Sequence, residues 1–164
     1  MNKLTAEHVG TLLSYDPETG VLTWRVRRGG TASAGSVAGC RNKDGYLVFS
    51  LCNRIQYAHR VAWLLTHGAW PDGDIDHRDG NRSNNALANL RDVTRRVNLE
   101  NRRRAAPNTT TGLIGAGKGK PNGGYRSRIC VNGKERHLGT FATPEQAHEA
   151  YVAAKRQLHE GNTL

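Results

Sequence analysis

The sequence predicts an α+β protein made of two modules, on three observations. Residues 75–101, IDHRDGNRSNNALANLRDVTRRVNLEN, read as strand, loop, strand, helix. Residues 125–158 read as a tight hairpin followed by one helix. Between them, Arg102-Arg103-Arg104 runs into AAPNTTTG, a polar stretch with Pro and Gly that suits a linker. The expected architecture is a strand–strand–helix finger with a helix and strands before it, followed by a small three-stranded antiparallel sheet packed on one helix. The expected boundaries are 1–104 for the first module (finger core 74–103), 105–111 for the linker and 112–164 for the second module.

The elements follow in order. Thr5 can cap a helix over Thr5–Tyr15, with Leu4, Val9, Leu12 and Leu13 on its apolar side. Asp16-Pro17-Glu18-Thr19-Gly20 is a turn, and Val21–Val26 alternates like a strand. Residues 27–45, rich in Gly, Ser and Arg, read as a loop. Tyr46–Leu51 is a strand, Asn53-Arg54 a turn and Ile55–Tyr57 a third strand. Ala58–His67 carries the apolar density of a short helix, which Gly68 ends. Ile75–His77 and Leu90–Val93 are brief strands around a loop of Asp, Gly and Asn, residues that bond to their own backbone. Thr94 can cap a helix over 95–103. In the second module Tyr125–Val131 alternates strictly, Asn132-Gly133 is a hairpin turn and Lys134–Leu138 returns. Thr143-Pro144-Glu145-Gln146 starts a helix in which Ala147, Ala150, Tyr151, Ala154 and Leu158 fall at helical spacing.

Charge narrows the partner. The 164 residues carry a formal net charge of +10, an excess that a fold does not require and a polyanion does. No long apolar run and no strongly basic amphipathic helix points to a membrane, so nucleic acid leads. The N-terminal MNKLTAEHVG lacks the apolar core of a signal peptide, and the expectation is an intracellular protein. Cys40, Cys52 and Cys130 are odd in number and none is spaced C-x-x-C, which speaks against a disulfide framework or a cysteine zinc site.

The finger carries the candidate chemistry. Phosphodiester hydrolysis needs an activated water, charge stabilisation and an in-line path. His77 has the proton affinity to accept the water's proton near neutral pH. Asp76 offers a carboxylate and Asn98 an amide oxygen, hard donors of the kind magnesium takes alongside water and phosphate. Neighbours on a strand point to opposite sides, so Asp76 and His77 can flank one phosphate. Asn101 is the alternative to Asn98, and Asn84 and Asn85 read as turn formers. His59 reads as a side chain tucked between strand and finger, with a DNA contact as the other possibility.

These residues resemble a known family. Ala58-His59-Arg60, Asp76 to Asn85 (DHRDGNRSNN), Asn89-Leu90-Arg91-Asp92-Val93-Thr94 and Asn98 to Asn101 are similar to the HNH endonucleases, in particular the phage and intron-encoded branch, over residues 45–104. That resemblance implies a ββα-metal finger and the following roles. His77 is the general base. Asp76 and Asn98 hold a divalent metal, magnesium first and manganese or another divalent ion as alternatives. Asn89 braces the finger and orients His77. No structural zinc is implied. Asn98 stands at the last position of the motif's name, where His is the eponymous residue.

Six arginines lie between Arg91 and Arg104, next to that site. Arg91, Arg95, Arg96, Arg102 and Arg103, together with Arg60, are candidate DNA contacts that position the backbone without reading sequence. The tail resembles the plant ethylene-response-factor (APETALA-type) DNA-binding domain through Gly112-Leu113-Ile114-Gly115, Tyr125–Ile129, Leu138-Gly139-Thr140-Phe141 and the helix from Pro144. Tyr125 stands where the plant domains usually have Trp. Alternation sets Arg126, Arg128 and Cys130 on one face, and the two-residue turn puts Arg128 opposite His137. That face, with Lys134, is the candidate major-groove reader.

The sequence therefore predicts a metal-dependent DNA endonuclease, monomeric or homodimeric, that nicks double-stranded DNA or cuts both strands as a dimer and is targeted by its C-terminal domain. The resemblance implies a phage or mobile-element product in the cytoplasm of a bacterial host. The alternative is a catalytically silent, sequence-specific DNA-binding or regulatory protein.

Overall fold

In the computed structural model, which describes residues 4–29, 32–106, 108–119 and 123–162, Thr5 starts the first helix, α1 (Ala6–Leu12), by accepting a hydrogen bond from His8 N at 3.2 Å. The helix is shorter than its apolar spacing suggests. Leu13–Tyr15 leaves it as strand β1 and pairs antiparallel with β2 (Leu22–Trp24). Asp16 and Gly20 make this possible. The Asp16 carboxylate accepts from Glu18 N and from the Thr19 hydroxyl, and Gly20 adopts φ +77°. Leu13 is buried as the first residue of β1, so ladder pairing replaces the last helical turn with this side chain still in the core.

A three-stranded meander follows: β3 (Cys40–Arg41), β4 (Leu47–Leu51) and β5 (Arg54–Tyr57). The turn joining β4 to β5 uses Cys52 and Asn53, both at positive φ, one position earlier than expected, because Arg54 pairs with Leu51. Helix α2 (Ala58–His67) has the predicted span and stops at Gly68, in the left-handed region with its N–H on Leu64 O. Its two faces serve two cores. Val61 and Leu64 join Val9, Leu13, Leu22, Trp24, Phe49 and Leu51. Ala62 packs on Ile75 and Leu90 of the hairpin β6 (Asp74–His77) and β7 (Leu90–Val93). The register of that hairpin sets Asp76 opposite Arg91 and His77 opposite Leu90.

The chain divides into two compact units, Met1–Arg95 and Arg96–Leu164. The second begins within helix α3 (Arg95–Glu100), which ends earlier than the predicted 103; the Arg102 carbonyl accepts instead from the buried Lys155 ammonium at 2.6 Å. Its sheet is β8 (Ala116–Lys118), β9 (Tyr125–Val131) and β10 (Lys134–Phe141), in the order β10-β9-β8. Asn132 and Gly133 turn at φ +52° and +75°, and Arg128 lies opposite His137 as the alternation predicts. A bulge at Leu138 lets β10 continue to Phe141. Helix α4 (Pro144–Leu158) starts as predicted, with Thr143 accepting from Gln146 N. Ser127, Ile129 and Ala147 are buried in this unit, whereas Arg126, Arg128 and Cys130 are exposed. Of the expected linker, Pro107 lies outside the described residues.

One close approach joins the β1–β2 hairpin to the loop before β7. A Cβ on Gly20 would sit 2.3 Å from Ala86 N and 2.3 Å from Asn85 C. Nearby, Tyr15 Oη donates to Asn85 O at 2.8 Å and Leu87 N donates to Pro17 O at 2.8 Å. Gly20→Ala adds left-handed backbone strain to an overpacked contact, so it is expected to cost at least about 2 kcal/mol of stability. Urea unfolding of the variant beside the wild type measures this.

Candidate active site

His77 ends β6 and is 4% exposed. Its Nε2 lies 3.1 Å from Asn85 Oδ1. An amide oxygen can only accept, so this contact selects the Nε2–H tautomer and makes Nδ1 the basic nitrogen. Burial pushes the His77 pKa below 6.5; it outweighs the Asn85 hydrogen bond and the Asp79 and Asp76 carboxylates, which pull it up, and Arg82 adds to the lowering. The imidazole is accordingly neutral at pH 7, the form that can take a proton.

Asp76, one residue earlier and 6% exposed, is held by the arginine opposite it. Arg91 Nε and Nη2 both reach Asp76 Oδ2, at 2.8 and 2.7 Å. Its carboxylate thus keeps a fixed direction. Among the described residues no group of three or more His, Cys, Asp or Glu converges as a metal site. A cation at Asp76 would draw on that one carboxylate, with water and phosphate oxygens making up the rest. That sparse hard-oxygen set is one magnesium accepts. Asn98, the fourth residue of α3, is half-buried.

The loop between β6 and β7 is fastened from within. Asp79 accepts from Asn81 N, Asn84 Nδ2 and Asn89 Nδ2 at 2.7, 2.7 and 3.0 Å. Burial opposes ionisation of Asp79, but these hydrogen bonds outweigh it and its pKa is lowered. Asn89 also donates to Asn84 O and accepts from Asp79 N, while its backbone carbonyl takes Arg78 N. It therefore ties the two ends of the loop together, and the amide facing His77 Nε2 belongs to Asn85. The sequence does not separate Asn85 from its neighbours, because an Asn among loop residues is ordinarily a turn former. Only the cover supplied by Tyr15 and Gly20, some 65–70 positions earlier, makes Asn85 a buried support, at 1% exposure.

A ring cluster backs His77. The His59 ring meets it at 5.1 Å between centroids, edge to face at 81°, and Tyr46 lies 5.3 Å from His59 and 6.0 Å from His77. Tyr57 adds a contact to His59 at 5.5 Å. Arg82 covers the Tyr46 ring at 4.9 Å and donates to Asp44 O, and Ser83 donates to Gly45 O. Burial, with His77 and Arg60 nearby, depresses the His59 pKa to about 3. The sign of the consequence is fixed. The unfolded chain binds a proton at this position below pH 6.5 and the folded chain does not. The contribution of His59 to stability is intact above 6.5 and lost as pH falls towards 3, amounting to about 2 kcal/mol by pH 5. Urea unfolding at pH 7 and 5 should show a smaller loss for His59→Phe than for wild type.

The arginines divide by partner. Arg60 donates to Gly73 O at 3.1 Å and Pro71 O at 3.5 Å, a brace at the entry to β6. Arg95 pairs with Asp74, and Arg96 with Glu100 and Glu160, all at 2.8–2.9 Å. Arg95 is 75% exposed and Arg96 46%; the pairs Arg95–Asp74 and Arg96–Glu160 lie at the surface and contribute little, whereas Arg96 meets a buried carboxylate in Glu100. Arg102 and Arg103 follow α3. On the C-terminal sheet Arg128 pairs with Glu135 at 2.9 Å, Arg126 donates to Lys118 O, and Lys134 and His137 are exposed.

Residues 56–100 match the family described as HNH endonuclease. The chain is also similar to a solved structure of the HNH homing endonuclease I-HmuI, reported as DNA binding and cleavage by that enzyme. The identity is 26%, over 54% of this chain and 50% of that one, with a TM-score of 0.40. The chain thus spans about half the length of that structure. No curated protein matches it.

Proposed function

We propose that the protein is a metal-dependent endonuclease that hydrolyses phosphodiester bonds in double-stranded DNA. The observation that carries this reading is the pair at the end of β6: a buried, neutral His77 whose tautomer is set by Asn85, beside an Asp76 whose direction is set by Arg91. The match of residues 56–100 to the HNH endonuclease family supports it, as does the +10 charge.

In this reading His77 Nδ1 takes the proton from the attacking water. Nε2 stays protonated on Asn85 Oδ1, so the positive charge that develops on the ring is shared with an oriented acceptor. Asp76 and Asn98 would hold the divalent metal, magnesium in the first instance, which when bound stabilises the charge on the phosphate and the departing oxygen. Asn89 keeps the loop that carries Asn85 in shape. Arg95, Arg96, Arg102 and Arg103 contact the DNA backbone.

The exposed face of the β8–β10 sheet is the targeting surface. Its Arg126, Arg128 and His137 share one side, a two-to-three-strand width that fits a major groove. In this reading it is a domain of the ethylene-response-factor type, joined to the nuclease domain through residues 105–111. Each active site cuts one strand, and double-strand cleavage takes two copies. The setting is a phage or mobile element in a bacterial cytoplasm.

The test is metal-dependent nicking of supercoiled plasmid. Magnesium should yield open circles whose ends, 5′-phosphate and 3′-hydroxyl, DNA ligase reseals without further treatment, and chelator should stop the reaction. Plasmid that stays supercoiled while the protein binds it overturns the proposal in favour of a DNA-binding role alone.

A further inference from the structure

We infer that His59 is a positioning residue for His77, and that the first turn of α2 sets the strand that carries the catalytic pair. The inference rests on the nuclease reading for its importance, although the geometry stands without it.

Two consecutive residues of α2 grip β6 near its two ends. Arg60 donates to Gly73 O and Pro71 O, just before Asp74. His59 lays its ring against His77, the last residue of the strand. Successive side chains on a helix diverge by about 100°, so one turn can reach both ends of a strand only about 10 Å long. The helix itself is anchored. Ala58, Val61, Ala62 and Leu64 are all within 2% of full burial and belong to the two cores of this unit. The strand that carries His77 is thereby referenced to a helix anchored in both cores.

The contact restrains a particular freedom. The last torsion of a histidine is broad and roughly two-fold, so hydrogen bonding alone must choose between ring orientations. Asn85 Oδ1 supplies one constraint on His77, through Nε2. A ring edge packed at 81° supplies a second, because rotation of His77 would drive its plane into His59. His59 cannot easily yield. Tyr46 and Tyr57 contact it at 5.3 and 5.5 Å, the two tyrosines meet each other at 5.5 Å, and Arg82 covers Tyr46. Among the described residues, His59 Nδ1 is buried with no hydrogen-bond partner. That nitrogen gives the ring no anchor, and its packing contacts hold it in place. Burial keeps it uncharged, so it puts no second positive charge beside His77.

The experiment compares His59→Leu, which keeps the volume without a planar edge, with His59→Phe, which keeps a ring. Two readouts are taken on folded protein, the melting temperature serving as the check on folding. The first is the imidazole 15N spectrum of His77. Wild type and His59→Phe should show one Nε2–H tautomer, and His59→Leu a mixture. The second is cleavage at saturating protein. The single-turnover rate of His59→Leu should fall about 10- to 100-fold, as for other outer supports of a site, with DNA affinity little changed. His59→Phe should recover most of it.

Equal behaviour of the Leu and Phe variants in the 15N spectrum overturns the proposal, since a filler of space would tolerate either. The spectrum does not require cleavage. If wild type fails to cut but the tautomer still depends on the ring at 59, the positioning role stands and the nuclease reading falls. If wild type cuts and neither readout separates Leu from Phe, the nuclease reading stands and the positioning role falls.

Discussion

His77→Ala is expected to lower the rate of strand cleavage by about 10²–10⁴-fold, the usual worth of a positioned general base. Binding of DNA should persist, because His77 is buried on the end of β6 and contributes no surface charge at neutral pH. The variant leaves Asn85 without its ring partner, so a modest loss of stability accompanies the loss of rate. His77→Gln is a sharper probe: it can donate to Asn85 through its amide yet cannot serve as a base. It should fold like wild type and remain inactive. Single-turnover cleavage with excess protein, paired with a binding isotherm, measures both. A His77→Gln protein that cuts at the wild-type rate would remove His77 from the reaction.

Asp76→Asn is expected to lower cleavage more than about 100-fold, since even outer partners of metal sites are worth 10- to 100-fold. The shape of the side chain is kept, and its amide oxygen can still accept from Arg91 Nε. The charge is what changes. With the carboxylate gone, the Arg91 guanidinium loses the anion that neutralises it, next to where the cation must sit. Metal affinity should fall for two reasons at once: a hard anionic donor is lost and a like charge is unmasked. Manganese binding followed by electron paramagnetic resonance tests this apart from cleavage. Wild-type metal affinity in Asp76→Asn would exclude Asp76 as a ligand.

The parts of this molecule that are legible in the sequence are those encoded by neighbours. Helix α2 has the predicted ends, Ala58 and His67, because its apolar spacing and Gly68 act locally. The Asn132-Gly133 turn fixes the register of β9 and β10, which is why Arg128 faces His137. The N-terminal helix is shorter than predicted, because Leu13 satisfies either a helical or a strand pattern and only pairing with Trp24 decides between them. The support for His77 is least legible. Asn85 depends on a tyrosine 70 positions away, and the ring cluster gathers Tyr46, Tyr57 and His59 from the residue before a strand, a strand end and a helix. Asp76 and His77 can be picked out by residue type and spacing. The residues that hold them in place are ordinary in type, and only the fold gives them that use.

The most direct test of the central claim is conversion of supercoiled plasmid to open circle by wild-type protein and His77→Gln side by side, in magnesium, at concentrations where both occupy the DNA. Nicking by the wild type alone, abolished by chelator, is the predicted result. Intact plasmid in the presence of bound wild-type protein, or equal nicking by the two proteins, would contradict it.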